Sequence, residues 1–148
     1  MRVRLSVFAV LAVVFALGLW SGTALQSARA AGAAAPQVAH IAPTDSYPTL
    51  APGISGKILG HAPSGDIEVV DITRAPQHVH ANIDEVVYVI SGHGRATIGT
   101  HKYTIGPGDV AVLPRGVAHS LFAIGKTPVR LLGIAYPKDI PTDMKPVK

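Results

Sequence analysis

The sequence predicts an all-β domain of sandwich or barrel type, preceded by an export leader. Three observations carry the fold class. From about Ile54 onward, short runs rich in β-branched residues are separated by turn signals every few residues. Fifteen glycines and twelve prolines in 148 residues supply those turns. No segment beyond the leader holds a helical period, and about nine short strands in some eighty residues fit a closed or two-layered β architecture. The length allows one domain with a modest core, and neither an internal repeat nor room for a second domain is present.

Residues 1–30 have the three parts of a secretory signal peptide. Arg2 and Arg4 make a positive start, Leu5 to Trp20 form an uncharged apolar run, and Ala28-Arg29-Ala30 ends the stretch as an A-x-A type site. Sixteen apolar residues followed by small-residue sites favour cleavage over a membrane span, so no stable membrane anchor is expected. Ala33 and Ala35 offer alternative cleavage points. Arg2-Val-Arg4 is not a twin-arginine pair, which favours export of the unfolded chain and metal acquisition outside the cytoplasm. The expected location is periplasmic or secreted. Without Arg2, Arg4 and Arg29 the chain keeps ten basic and nine acidic residues, so the basic character belongs to the leader. No basic patch remains for nucleic acid. With no cysteine, core packing or a metal must supply stability outside the cell.

Residues 31–53 are dominated by alanine and proline and read as an N-terminal linker. Residues 54–137 carry the strands, and 138–148 read as a C-terminal tail. "GKILGHA" and "DIEVVDIT" flank Pro63-Ser64-Gly65. "PQHVHA", "EVVYVIS", "RATIGT", "KYTI", "DVAVLP", "AHSLFAI" and "VRLLGIAY" follow. Ser91-Gly92-His93-Gly94, Gly99-Thr100 and Gly106-Pro107-Gly108-Asp109 read as turns between them.

The chemistry concentrates in "HVHANIDE", residues 78–85. Side chains at i and i+2 of a strand share a face, so His78 and His80 project toward one point. A short connection at 81–84 would return Glu85 beside them, with Asp84 pointing away. Farther on, Pro114-Arg115-Gly116 reads as a turn ahead of a strand that carries His119. Taken singly, each half is also compatible with ordinary half-buried strand histidines.

Together the halves read His-x-His-x4-Glu-x6-Gly from His78 to Gly92, then Gly-x5-Pro-x-Gly-x-x-His from Gly108 to His119, with fifteen residues between them. This resembles the cupin family, with the short spacer of small single-domain bacterial members. The resemblance covers roughly residues 54–136. It implies a small antiparallel jelly-roll β-barrel and one metal bound inside it by His78, His80, Glu85 and His119. Family members often carry a glycine six residues before the first histidine and an asparagine four after the last. Here those positions are Ile72 and Ala123, and neither is a ligand position.

Three imidazoles and a carboxylate suit one divalent transition metal: Fe, Mn, Ni, Cu or Zn. Four protein ligands on an octahedral metal leave two positions open, which suits dioxygen chemistry or isomerase, decarboxylase and lyase chemistry. The expected partner is a small-molecule ligand or substrate. The rival reading is a non-catalytic cupin that holds or senses a small molecule or metal. Alternation places Val87, Val89, Leu121 and Ala123 inward, giving a small and mostly apolar pocket. Tyr103 shares parity with Ile105 and is a candidate to approach that pocket. Tyr88 falls on the outer face, Arg115 reads as a solvated loop residue, and His40, His61, His93 and His101 read as non-ligands. No catalytic residue is assigned by sequence. The sequence leaves the oligomeric state open; the resemblance makes a homodimer through sheet edges or apolar outer faces a candidate assembly, since relatives often dimerise that way.

Overall fold

The computed structural model describes residues 37–138 and 143–147. The leader therefore lies outside the described residues, as does the start of the Ala/Pro-rich stretch. Eleven strands are present among the described residues: β1 Thr49–Ala51, β2 Ile54–Ala62, β3 Gly65–Ile72, β4 Arg74–His80, β5 Asp84–Ser91, β6 Gly94–Ile98, β7 His101–Ile105, β8 Val110–Leu113, β9 His119–Ala123, β10 Val129–Tyr136 and β11 Met144–Pro146. They form two antiparallel sheets, one in the order β1-β2-β3-β10-β5-β8 and the other β11-β4-β9-β6-β7. Consecutive strands repeatedly switch sheets, so the expected jelly roll is the observed architecture.

The apolar faces meet between the sheets. Val70, Ala75, Val89, Ala96, Leu121, Val129 and Leu131 form the buried cluster. Strand alternation puts Leu131, Gly133 and Ala135 of β10 inward and leaves Ile134 and Tyr136 exposed. One irregularity matters for the site: the β4–β9 register shifts between Ala75 and His78. Ala75, His78 and His80 are consequently all buried, which strict alternation does not allow.

The glycine of the first motif is explained by Gly92. Its φ is 81°, in the left-handed region, and a Cβ there would collide with the Pro128 carbonyl. This glycine lets the turn after β5 pass close under the start of β10.

The stretches read as linker and tail contribute structure. Residues 49–51 form β1, which pairs with β2, and residues 144–146 form β11, which pairs with β4. Upstream of β1, Arg130 reaches out from β10 as a clamp. Its guanidinium donates to the Ala42 and Asp45 carbonyls at 2.8 and 2.6 Å and forks onto Asp71 at 2.7 Å per contact. It also lies 5.0 Å from the Tyr47 ring centroid. Residues 42–47 are thereby bound to the domain, because alanine and proline leave backbone carbonyls that a buried arginine can collect.

On the outer face of the six-stranded sheet, Ile67, Ile134, Val86 and Val112 stand in register across β3, β10, β5 and β8. Tyr88 and Val110 form the next pair along. All six remain exposed, from 37% for Val86 to 63% for Val110.

Candidate metal centre

His78 and His80 enter the space between the sheets from β4. His119 faces His78 directly across the β4–β9 ladder. The ring centroids lie 4.3 Å apart for His78–His119, 5.3 Å for His78–His80 and 5.4 Å for His80–His119. One ring nitrogen from each falls within 4.8 Å of the others, and all three residues are buried. Glu85 approaches from β5 of the opposite sheet. Its Oε1 is 3.7 Å from His80 Nε2, and its Oε2 is 3.8 Å from His119 Nε2.

The donor set fits a metal ion. Ligand atoms held at about 2.0–2.2 Å from one ion lie roughly 3–4 Å from each other, and the Glu85 distances fall in that window. The tautomers agree as well. His78 Nδ1 donates to the Pro76 carbonyl at 2.7 Å, and His119 Nδ1 donates to the Val117 carbonyl at 3.0 Å. Each neutral ring therefore leaves Nε2 as a lone pair. In both cases the acceptor lies two residues back along the chain, Pro76 within β4 and Val117 in the turn just before β9.

Burial also keeps these imidazoles neutral. It pushes His119 down to about 4, helped by the neighbouring His78 and His80 and opposed by the bond to Val117. His78 is lowered for the same leading reason, with the Pro76 bond opposing. With His119 held neutral, its 3.8 Å contact with Glu85 is no ion pair, and the spacing is that of two ligands of one ion.

The cavity beside the cluster has a volume of about 110 Å³. Its walls include Ile54, Val70, Val87, Ala96, Leu113 and Leu131, so the expected apolar pocket is present. Val87 and Leu121 line it, while Val89 and Ala123 pack in or against the core. Ile72, at the family's frequent glycine position, supplies wall.

Several expectations change. Tyr103 does not reach this cavity: it is half exposed, stacks beside His101 on the outside and lines a separate groove. The edge strand β7 carries it outward. Arg115 is not merely solvated. Its backbone N–H donates to Asp84 at 2.8 Å and its Nε at 3.1 and 3.2 Å. The guanidinium beside Asp84 holds that carboxyl down to about 2. His61 Nδ1 lies 2.7 Å from Asp66, and the His93 ring lies against Gly106, so neither joins the cluster.

Two polar residues were missed by sequence reasoning. Asp143 lies in the stretch read as tail. It is buried, accepts from the Asn82 backbone N–H at 3.0 Å and side-chain Nδ2 at 2.7 Å, and sits 3.8 Å from His80 Nδ1. No local pattern announces that contact. Glu68 lines the cavity from β3. Its parity with Val70 and Ile72 was legible: an acid on the apolar face of a strand.

Comparison with known proteins agrees with this geometry. The cupin domain family matches residues 68–135. An uncharacterized protein of Methanocaldococcus jannaschii is 30% identical over 60 residues, 40% of this chain and 48% of that protein. Germin-like protein 1 of Brassica napus is 34% identical over 85 residues, 54% of this chain and 37% of that protein. The matches thus span half or less of these curated relatives. Among solved structures, KdgF from Halomonas sp. superposes with a TM-score of 0.58 at 24% identity, covering 67% of this chain and 92% of its own. Two packed antiparallel sheets, a three-histidine cluster between them and a family match across the strands that build it make this chain the carrier of a cupin domain.

Proposed function

We propose that this protein is an exported metalloenzyme acting on a small molecule, with one divalent transition metal held by His78, His80, His119 and Glu85. The observation that carries the reading is the approach of Glu85, from the opposite sheet, to within 3.7 and 3.8 Å of two histidine Nε2 atoms. The bound ion would supply Lewis acidity or redox chemistry, as in an oxygenase, isomerase, decarboxylase or lyase. The chain's own part is to bind and orient. The Pro76 and Val117 carbonyls fix two rings, and the apolar walls exclude water from the reacting face.

The test is elemental analysis of protein purified from its exported location, followed by the same measurement on Glu85→Gln and His80→Ala. Full occupancy in the wild type with loss in both variants supports the site. Equal occupancy in all three sinks it. A turnover screen with the identified metal then separates catalysis from storage. The second reading, a cupin that binds a small molecule without turnover, is favoured by the sparse polar lining of the cavity.

The partner of the outer sheet face is a second copy of this chain. Monomers rarely leave a continuous apolar face larger than a few hundred Å². The row Ile67–Ile134–Val86–Val112 runs to the edge strand β8, and as an uncharged, in-register row it is complementary to itself across a two-fold axis.

A further inference from the structure

The two sheets part along one edge, where β1 and β2 of one sheet come beside β4 and β11 of the other without pairing to them. A groove of about 360 Å³ runs along that edge. It shares Ile54, Ala75, His78 and Met144 with the metal cavity. Ala75 and His78 are buried, whereas Met144 is 44% accessible. Ile54 and Met144 therefore stand between the histidine cluster and the outside.

Both rims of the groove are pinned to β4. On one side the Gly53 carbonyl accepts from the Thr73 and Arg74 backbone N–H groups at 2.9 and 3.3 Å. Its φ of 86° brings this turn so close that a Cβ would lie 2.7 Å from the Arg74 carbonyl. On the other side Met144 and Pro146 stand opposite His80 and His78 in the β11–β4 register, and the Val147 N–H donates to the Gln77 carbonyl at 3.1 Å. Directly opposed residues of an antiparallel pair share a face, which turns Met144 toward the cavity alongside His80. The opening is thus a built feature, made by the two stretches that flank the motif-bearing strands.

Charge distinguishes the groove from the cavity behind it. The cavity is lined by Glu68 and Glu85 and by no lysine or arginine among the described residues. The groove has one formally charged side chain among the described residues, Arg74. Its guanidinium enters no ion pair among the described residues. No strand of the five-stranded sheet carries an aspartate or glutamate that could neutralise it. Arg74 and His78 lie on the same strand, with their Cα atoms at most roughly 13 Å apart. An arginine at that distance from the cluster meets an oxyanion at the far end of a ligand, not at its metal-binding end.

We propose that this edge is the entrance to the metal cavity and that Arg74 is a specificity-determining residue at its rim. The ligand is an extended molecule with a metal-binding oxygen group at one end, an apolar middle that passes Ile54 and Met144, and a carboxylate at the other end held by Arg74. This rests on the metal-site reading above and names the substrate class for it.

The experiment uses the full chain loaded with zinc, which is redox-silent, with zinc content measured first. Three probes share a hydroxamate head: acetohydroxamate, suberic acid monohydroxamate and the terminal amide of the latter. Calorimetry gives the dissociation constant of each. The wild type is expected to bind the long acid about three- to tenfold more tightly than the amide, between the scale of an exposed ion pair and that of a hydrogen bond to a charge. Arg74→Gln abolishes that preference and Arg74→Lys keeps part of it, while zinc content and acetohydroxamate binding stay as in the wild type. Met144→Trp, which fills the opening, weakens both long probes and leaves zinc content unchanged. Full zinc with equal affinity for acid and amide in the wild type, or an unchanged ratio in Arg74→Gln, overturns the role of Arg74. Unchanged binding of the long probes in Met144→Trp overturns the entrance. A wild type that takes up no zinc or other divalent metal overturns the metal reading and this inference together.

Discussion

His78 and His119 face each other across the β4–β9 ladder with ring centroids 4.3 Å apart, and each ring's Nδ1 is bonded to the carbonyl two residues before it. The pair therefore presents two lone pairs to one point before any ion arrives. The cost of orienting the ligands is met by strand geometry, which is how a site on rigid elements is preorganised.

The pH dependence follows from burial. His119 is depressed to about 4 in the folded chain, against about 6.5 for an ordinary histidine. As pH falls below 6.5 the unfolded chain takes up a proton that the folded chain refuses. The metal-free protein should thus hold its His119 contribution above pH 6.5 and lose stability progressively between about 6.5 and 4. Denaturant titrations at pH 7.5, 5.5 and 4.5 check this, and equal midpoints would count against a buried neutral imidazole. Bound metal should shift the loss to lower pH until protons displace it.

Asp143 should tune the ion without touching it. Its carboxylate, 3.8 Å from His80 Nδ1, favours a proton on that nitrogen and so a lone pair on Nε2. Asp143→Ala is expected to weaken metal affinity about 10–100-fold. Competition with a chelator measures the change. Glu in place of Asp143 should recover part of it, which a purely structural role through Asn82 would not do.

Gly92→Ala should destabilise the domain by about 1–3 kcal/mol, since a non-glycine residue must adopt a left-handed backbone there, with contact to the Pro128 carbonyl added. Thermal unfolding reads the loss. Metal stoichiometry should remain one per chain at temperatures where the variant is folded.

Val112→Asp places a charge on the exposed row at the edge strand, where the side chain is 60% accessible. It should leave folding and metal content intact and convert a dimer to a monomer in light scattering. A wild type that is monomeric at high micromolar concentration would remove the case for this face.

Much of the site was legible because its grammar is local. Alternation along one strand pairs His78 with His80, and a short connection brings back Glu85. Pro114 and Gly116 set the turn ahead of His119. Even there the local rule failed once, at the shift that buries Ala75 together with both histidines. Tyr103 was a parity candidate for the cavity, but parity says only which residues share a face and not which face is inner on an edge strand. Arg130 was unremarkable in sequence, yet it holds residues 42–47, whose carbonyls lie more than eighty positions away.

The sequence by itself determined the class of fold, the four residues proposed as ligands and the apolar character of the pocket. The fold class and the apolar pocket follow from a period of two and from turns of a few residues, and the ligand set is what two motifs that resemble those of cupins imply; all rest on neighbouring positions. Tertiary structure alone decided that Glu85 meets the histidines from the opposite sheet, that Asp143 stands behind His80, and that Glu68 faces the cavity over Gly133. Those relations depend on which distant strands become neighbours when the barrel closes, and closure is set by burial of the whole apolar face rather than by any short stretch.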